Sequence, residues 1–280
     1  MPKTNDIALP SLSFDSFKEQ LLTDYRIIVL SRECSLLGRK EVLTGKAKFG
    51  IFGDGKELPQ LVLSRFFKKG DFRSGYYRDQ TILMAHDLLS PKQLFAALYA
   101  HPDLKEEPMS GGRQMGAHFV TPSHDKEGNW LDLTQQYNHS SDISPTAGQI
   151  PRSIGLAQAS KVYRALGIPE GRNFSNNGNE IAWGTIGNAS TSEGLFLEAM
   201  NAAGVLQIPL VMSVWDDGYG ISVSNEQQTT KGSISEALAG LQRTKTLKGV
   251  EIIRVNGWDY PALVSAYQKA EDLAREAAFG

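Results

Sequence analysis

The sequence has little cysteine and no excess of charge of one sign. Its 280 residues include one cysteine, Cys34, which cannot form an internal disulfide. A single cysteine is typical of a reducing compartment, and its ordinary role there is that of a small buried side chain. The 29 basic and 31 acidic side chains nearly cancel, to a formal net charge of −2. This balance gives no indication of a nucleic-acid-binding surface.

Long apolar runs are also lacking. No apolar stretch approaches the length of a membrane span. Residues 1–25 lack the apolar core of a secretion signal and contain acidic side chains that transit peptides avoid. We therefore predict a cytoplasmic protein that binds neither membrane nor nucleic acid.

The first hundred residues show helical rather than strand periodicity. Apolar residues recur at steps of three and four, and Gly and Pro separate the segments. Residues 1–12 contain two prolines and predict a loose tail. We therefore divide the chain into a tail and helix at residues 1–45 and one domain at residues 46–280. The predicted helices are residues 13–43, 59–67, 80–89 and 91–100.

Residues 101–146 have little periodicity and are rich in Gly, Pro, Ser, His and Asn. A loop of this length is usually functional or disordered. Residues 111–119 read Gly-Gly-Arg-Gln-Met-Gly-Ala-His-Phe, a mixture too specific for a linker. The histidine, His118, is by itself more often a structural residue than a catalyst. A helix is predicted to follow as far as Gly167, with Pro151 in its first turn.

Tyr77 and Arg78 belong to an aromatic and basic cluster ahead of the third predicted helix. Arginine clamps anions better than lysine does, so the pair suits a phosphate. An exposed aromatic and basic surface explains the same residues, and taken alone the pattern favours that explanation.

Residues 180–222 have the pattern of one parallel crossover unit. Apolar runs at 181–186 and 208–215 predict two strands, and residues 192–206 predict the helix between them. Together with a last strand at 250–255 and a helix from residue 260 onward, this predicts a three-layer α/β domain with a mostly parallel sheet.

The two predicted strands end in groups that suit an anion and a metal. Gly187 lets a ligand approach the backbone, a hydroxyl among residues 190–192 can cap the helix, and the free amides there suit a diphosphate. The Asn188 amide and the Asp217 carboxylate, with one carbonyl and phosphate oxygens, would form the octahedral shell that magnesium prefers. A tight turn with an Asx cap explains the same residues, and the pattern leaves both open. Residues 53–55 (Gly-Asp-Gly) predict only a turn, because no strand–helix unit surrounds them.

Five motifs occur in a fixed order: residues 75–79 (Gly-Tyr-Tyr-Arg-Asp), 112–119, 143–151 (Ile-Ser-Pro-Thr-Ala-Gly-Gln-Ile-Pro), 187–194 and 216–222. Together they resemble the alpha subunit of thiamine-diphosphate-dependent 2-oxo acid dehydrogenases, the decarboxylating component of the lipoyl-linked complexes. The similarity is greatest to the branched-chain, 2-oxoisovalerate type, and it runs from about Arg39 onward. One such motif has low specificity, whereas five in order have high specificity.

The resemblance implies a thiamine diphosphate-binding fold and assigns roles to particular residues. His118 is the internal catalytic candidate. Magnesium would be bound by Asn188, Asp217 and the carbonyl of Tyr219. The remaining cofactor-binding residues would be Tyr77 and Arg78 on the diphosphate, Ser144 and the Thr146 backbone at the rings, and Gly187, Ala189 and Ser190 in the diphosphate turn.

The chain departs from the family at several of these positions. Relatives usually have an acidic residue at the position of Asn188 and an asparagine at that of Asp217. The exchanged pair still offers one carboxylate and one amide oxygen, so we expect the charge balance of the metal site to be retained; an impaired site is the alternative. Trp215 replaces an arginine that contacts the diphosphate in branched-chain relatives, so part of the neutralisation must come from elsewhere. Ile143 and Gly148 replace hydroxyl-bearing residues near a potassium site of some relatives.

The resemblance implies oxidative decarboxylation of a branched-chain 2-oxo acid, as in branched-chain amino acid catabolism, and acyl transfer to a lipoyl carrier. The implied partners are a beta subunit or fused beta domain, in a heterotetramer, and a lipoyl acyltransferase. Relatives continue past the position of Gly280, so we expect a fragment or one part of a fused chain. The alternatives are a pyruvate or acetoin dehydrogenase alpha subunit, and a non-catalytic scaffold that lost the cofactor.

Overall fold

The structure, a computed structural model, describes residues 13–116, 118–168 and 173–277. The tail predicted at residues 1–12 lies outside this part of the chain. The described helices are α1 (Phe14–Leu43), α2 (Glu57–Phe66), α3 (Gln80–Ala85), α4 (Pro91–Leu98), α5 (Ile150–Leu166), α6 (Gly194–Leu206), α7 (Asn225–Gln228), α8 (Ile234–Ala237) and α9 (Tyr260–Ala277). The described strands are β1 (Phe72–Ser74), β2 (Asn138–His139), β3 (Ala182–Gly187), β4 (Leu210–Trp215), β5 (Tyr219–Gly220) and β6 (Val223–Ser224).

Four strands form a parallel sheet in the order β2, β1, β3, β4, and β5 pairs with β6 in a separate antiparallel hairpin. α6 connects β3 to β4, whose register pairs Ala182 with Leu210 and Gly187 with Trp215. The predicted strand–turn–helix–strand unit is therefore confirmed. Both strands end at the same level, which brings the segments after Gly187 and Trp215 to one edge of the sheet.

Helices cover both faces of this sheet. Alternate residues of a strand face opposite sides. Val211 and Trp215 of β4 join a buried cluster with side chains of α2 and α9. Met212 and Val214 pack instead against a cluster formed by α5 and α6. Burial on both faces is typical of parallel sheets, and the predicted three-layer α/β architecture is confirmed.

α1 turns its polar side inward. The Oγ of Ser31 and the Oγ1 of Thr81 share a buried 2.7 Å hydrogen bond, and Asp24 pairs with Arg65. Hydrogen-bonded partners make the burial of such groups tolerable. The periodicity correctly predicted a helix, but most of the residues that produced it face away from the rest of the chain. Its exposed apolar side chains include Leu22, Tyr25, Val29, Leu36 and Leu37.

Three expectations about individual elements are wrong. Within the described residues, Val250 forms one isolated parallel bridge to Gln242, and residues 250–255 form no strand. The helix after β3 begins at Gly194 rather than at residue 192, because a 3-10 turn at Ala189–Ser192 precedes it. The third predicted helix ends at Ala85 rather than at residue 89.

β1 and β2 were not predicted, since three and two residues are too few to show a period. In the described part of the chain, no helix combines the length and the apolar character that crossing a membrane requires.

Candidate functional site

β1 places an arginine in the interior beneath the edge of the sheet. The Arg73 guanidinium is fully buried and donates to Asp79 at 2.6 and 2.9 Å and to Asp142 at 3.0 Å. A buried charge is tolerated only when it is paired and hydrogen bonded. Asp79 also accepts from the Trp215 indole at 3.0 Å and from the Tyr76 amide at 3.1 Å. One carboxylate therefore links the ends of β1 and β4.

Two carboxylates share this one guanidinium, and their burial shifts nearby pKa values. Burial raises the pKa of Asp142 to about 6, although Arg73 opposes the rise. Burial, and then the charge of Arg73, lower the pKa of His139 well below its usual value. The interior beneath the site therefore disfavours both additional negative and additional positive charge.

An Asp142→Asn variant is expected to change how stability depends on pH. The carboxyl has an ordinary pKa of 3.8 when unfolded and a pKa of about 6 when folded. Between these values the folded state binds one more proton, so the free energy of unfolding falls as pH rises, by ~3 kcal/mol in total. Urea unfolding at pH 4, 5, 6 and 7 should show the unsubstituted protein losing stability relative to the variant. A difference that stays constant with pH would contradict the raised pKa.

We use the term crevice for the region at the carboxyl ends of β3 and β4. Its borders are Gly187, Asn188, Asp217 and the turn at Tyr77 and Arg78. A Cβ atom at position 187 would lie 2.9 Å from the Tyr76 hydroxyl. The close approach predicted at Gly187 is therefore made in this structure by a tyrosine of the same chain. Burial raises the pKa of that tyrosine, whose hydroxyl is neutral and can donate.

Asn188 is buried at the end of β3 and is hydrogen bonded through both its backbone and its side chain. Its backbone N–H donates to the Trp215 carbonyl at 3.2 Å, and its side-chain Nδ2 donates to Asn225 Oδ1 at 2.7 Å. Asn225 Nδ2 donates in turn to Asp216 Oδ1 at 2.8 Å. This arrangement leaves the Asn188 carboxamide oxygen as its group for binding a cation. Asn225 was missed by the sequence analysis, because it lies outside every quoted motif.

Asp217 follows the end of β4 and pairs with a residue that the sequence analysis also missed. Lys56 Nζ is 2.6 Å from Asp217 Oδ2, across a separation of 161 residues. The other carboxylate oxygen is 3.4 Å from the Tyr219 amide. The Asp217 side chain is 50% exposed, so its oxygens remain reachable from solvent.

The turn before Lys56 packs against the Tyr77 and Arg78 pair. A turn at residues 53–55 was predicted and is confirmed. A Cβ at Gly53 would lie 2.4 Å from the Arg78 carbonyl oxygen, so only glycine fits there without movement. Arg78 Nη1 donates to the Phe52 carbonyl at 3.2 Å. This turn, interpreted as unrelated to the phosphate site, thus borders the crevice.

His118 lies next to the aromatic pair. Its ring centroid is 6.2 Å from that of Tyr77, and the Arg78 guanidinium is 5.5 Å from the same tyrosine ring. His118 Nδ1 lies 3.0 Å from the Met115 carbonyl, which can only accept, so Nδ1 carries a proton. In the neutral ring, Nε2 then accepts from the Ser144 hydroxyl at 2.7 Å. A cavity of about 20 Å³ beside Tyr77 and His118 has room for about one water molecule.

The remaining predicted site residues differ from one another in exposure. Ser144 and Thr146 are exposed, and Ser190 is buried. Ala189 packs against Gly220 of β5, and its carbonyl accepts from Gln228 Nε2 of α7 at 2.9 Å. The predicted hydroxyl cap of the helix is wrong. Glu193 is the N-cap residue of α6, and its side chain accepts no hydrogen bond from the backbone N–H groups of the first turn that the structure describes.

The donors present fit a hard cation that is shared with an anionic ligand. The Asn188 amide, the Asp217 carboxylate and the Tyr219 carbonyl are all oxygen donors, as magnesium prefers. Across the residues that the structure describes, no three His, Cys, Asp or Glu side chains gather as a metal site. A divalent cation there would therefore depend on ligand oxygens as well as on protein oxygens. Lys56 and Arg78 supply positive charge at the same edge.

Comparison of the sequence with known proteins identifies a family. The profile of the Dehydrogenase E1 component family matches residues 25–278. The 2-oxoisovalerate dehydrogenase subunit alpha of Bacillus subtilis (strain 168) is 27% identical over 257 residues, which are 90% of this chain and 65% of that protein. The mitochondrial 2-oxoisovalerate dehydrogenase subunit alpha of Mus musculus is 26% identical, covering 98% of this chain and 53% of that protein.

A relative named as a pyruvate dehydrogenase subunit has a similar sequence identity to this chain. The pyruvate dehydrogenase E1 component subunit alpha of Acholeplasma laidlawii is 26% identical, covering 92% of this chain and 61% of that protein. Among solved structures, transketolase from Leishmania mexicana matches with a TM-score of 0.49 at 16% identity, covering 88% of this chain and 34% of that one. The chain thus spans between half and two thirds of the length of these curated relatives. Because the family profile covers nearly the whole chain, the chain belongs to the Dehydrogenase E1 component family.

Proposed function

We propose that the chain is the diphosphate-binding part of a thiamine-diphosphate-dependent 2-oxo acid dehydrogenase. The crevice carries the proposal, because it brings Gly187, Asn188 and Asp217 to the edge at which parallel sheets bind ligands. Lys56 and Arg78 add the positive charge that a diphosphate requires. The names of the Bacillus and Mus relatives support a dehydrogenase of this class.

Within this proposal, the metal is magnesium. Asn188 and Asp217 would bind it through side-chain oxygens and Tyr219 through its carbonyl, with diphosphate oxygens completing the shell. Gly187, Ala189 and Ser190 would border the diphosphate, and Tyr77 and Arg78 would hold it from the other side. The metal would bind together with the cofactor rather than before it, since only one carboxylate belongs to the protein set.

Bound thiamine diphosphate would supply the electron sink for decarboxylation of a 2-oxo acid. This chain contributes binding and orientation, through fixed charges and dipoles that need no rearrangement during reaction. Ser144 and the Thr146 backbone would face the cofactor rings. His118 is the proposed catalytic residue: the Met115 carbonyl fixes its tautomer, and its Nε2 can accept or return a proton beside Ser144.

The proposed partners follow from the class of enzyme. A beta subunit or fused beta domain would complete the active site in a heterotetramer, and a lipoyl acyltransferase would receive the acyl group. A cytoplasmic location is proposed on the sequence features alone.

The proposed substrate is a branched-chain 2-oxo acid, as the names of the Bacillus and Mus relatives suggest. Pyruvate is the second candidate, because the Acholeplasma relative is similarly distant. Turnover of a panel of 2-oxo acids by the complete assembly would distinguish the two. Preference for 2-oxoisovalerate over pyruvate is the expected result, and the reverse preference would favour the second candidate.

Calorimetric titration of thiamine diphosphate with magnesium, in the presence of the beta partner, tests the proposed function. An Arg78→Ala variant is expected to weaken binding about ten- to a hundredfold, because charge-assisted hydrogen bonds to phosphate each contribute ~1.5–3 kcal/mol. Its thermal stability should change little, since Arg78 is only half-buried.

The matched control for Arg78 is Arg243→Ala, which removes an arginine paired with Glu251 outside the crevice. The control should bind the cofactor normally. A purely thermal defect in Arg78→Ala would indicate a structural role for this arginine. Failure of the unsubstituted assembly to bind the cofactor would instead favour a non-catalytic scaffold.

A further inference from the structure

Lys56 is an unusual lysine, because it is both buried and at the edge of a ligand crevice. Its side chain is 10% exposed, and its ammonium is 2.6 Å from a carboxylate that is 50% exposed. Lysine is almost never buried unless it is paired. The stem of Lys56 therefore lies inside the protein while its charge points outward, toward the crevice at Asp217.

The backbone around Lys56 fixes this direction. Gly55 has φ +90°, a left-handed conformation that favours glycine, and Lys56 follows it as the N-cap residue of α2. The next residue, Glu57, is held by Arg32 through two bonds of 2.6 and 2.7 Å and accepts from the Gly55 amide at 3.0 Å. Gly53 is packed against the Arg78 carbonyl. Lys56 thus extends from a turn that is fixed on both sides.

The residue at the end of β4 cannot supply this charge. Trp215 is buried, and its indole N–H donates to Asp79 in the interior. Asp217 adds a negative charge beside a site proposed for an anionic ligand. Such a site needs a cation from the protein in addition to a metal, and Lys56 is the ammonium already placed there.

We propose that Lys56 is a diphosphate-binding residue, whose ammonium pairs with Asp217 in this structure and contacts phosphate oxygens when the cofactor binds. This inference rests on the proposed function. This exchange of partners explains how Asp217 can bind a metal. Lys56 neutralises the Asp217 carboxylate before the cofactor binds, and it leaves the Asp217 Oδ2 atom when the metal binds. No covalent change is involved, only a rotation of one long side chain.

The test is titration of thiamine diphosphate at saturating magnesium, with the beta partner present. Lys56→Met removes the charge and keeps the length of the side chain, and it should weaken binding at least about tenfold. Lys56→Arg should restore most of the affinity. Lys56→Met should also bind magnesium diphosphate, which lacks the organic rings, more weakly than the unsubstituted protein does. The factor should be the same, because the proposed contact is to phosphate alone.

Lys269→Met is the matched control, since Lys269 also pairs with a carboxylate at 2.6 Å, that of Glu251 on the surface. It should leave cofactor affinity unchanged. Unchanged or tighter binding by Lys56→Met would overturn the inference; tighter binding would mean that Lys56 only competes with the metal. If the Met variant does not fold, Lys56→Gln is measured in the same way. If the unsubstituted protein does not bind the cofactor, the proposed function fails rather than this assignment alone.

Discussion

Replacement of Asp217 by alanine is expected to abolish magnesium-dependent binding of thiamine diphosphate. Asp217 provides the one carboxylate among the three protein oxygens proposed for the metal, the others being neutral groups of Asn188 and Tyr219. Without Asp217 the protein would offer the cation only neutral donors, and the diphosphate oxygens would be its only anionic ligands. Isothermal titration of the cofactor with and without magnesium, in the assembly with the proposed beta partner, measures the effect.

Two further variants keep the interpretation of that result clear. Asp217→Ala also removes the partner of the buried Lys56, so a loss of stability could imitate a loss of binding. Asp217→Asn retains the shape and one oxygen acceptor for Lys56, and it should fold while still binding the cofactor at least about tenfold more weakly. Asp272→Ala removes an exposed aspartate of α9 that accepts from Gln268, away from the crevice, and should have no effect. Cofactor affinity that is unchanged in both Asp217 variants would contradict the metal assignment.

Replacement of Asp79 by alanine is expected to cause the largest loss of stability of any substitution considered. The carboxylate is 1% exposed and accepts from Arg73, Tyr76 and Trp215, and its removal leaves a fully buried guanidinium with Asp142 as its only carboxylate partner among the described residues. Breaking a buried ion pair by removing one partner typically costs about 3–5 kcal/mol. Urea denaturation followed by circular dichroism measures the change in the free energy of unfolding.

Asp125→Ala is the control for Asp79, because Asp125 also accepts several hydrogen bonds, from Glu127 and Asn129, but in an exposed loop. Its loss should lower the free energy of unfolding far less than the loss of Asp79 does, since water replaces the lost acceptor. Similar losses in the two variants would show that burial of the Arg73 pair contributes little.

The crossover unit was predictable because its signals are local. The strands that end at Gly187 and Trp215 are apolar runs, and the small residues after them interrupt the pattern. From this alone, the parallel arrangement of the two strands follows, and the structure confirms it. The roles of Tyr77, Arg78 and His118 stay predictions, although the structure places their side chains next to one another.

The rest of the site depends on pairs that are distant in sequence. Lys56 precedes an ordinary amphipathic helix, and nothing near it indicates that its partner is Asp217. Periodicity predicted α1 as a helix but could not tell which of its sides is buried, for a related reason. It reports which side of a helix is apolar, and it assumes that this side is buried. In α1 the buried side is built from hydrogen-bonded polar groups such as Ser31 and Asp24.

The partners of Asp79 have a consequence for how the chain is made. Arg73 is 6 residues away, whereas Thr185 is 106 and Trp215 is 136 residues further along. At about 5–20 residues per second, a ribosome needs roughly 7 to 27 seconds to deliver Trp215 after Asp79. During that interval the segment around β1 cannot complete its contacts, because strand, indole and hydroxyl all arrive later. The centre of this sheet is therefore completed only once Trp215 has been synthesised, and the segment around β1 lacks these contacts until then.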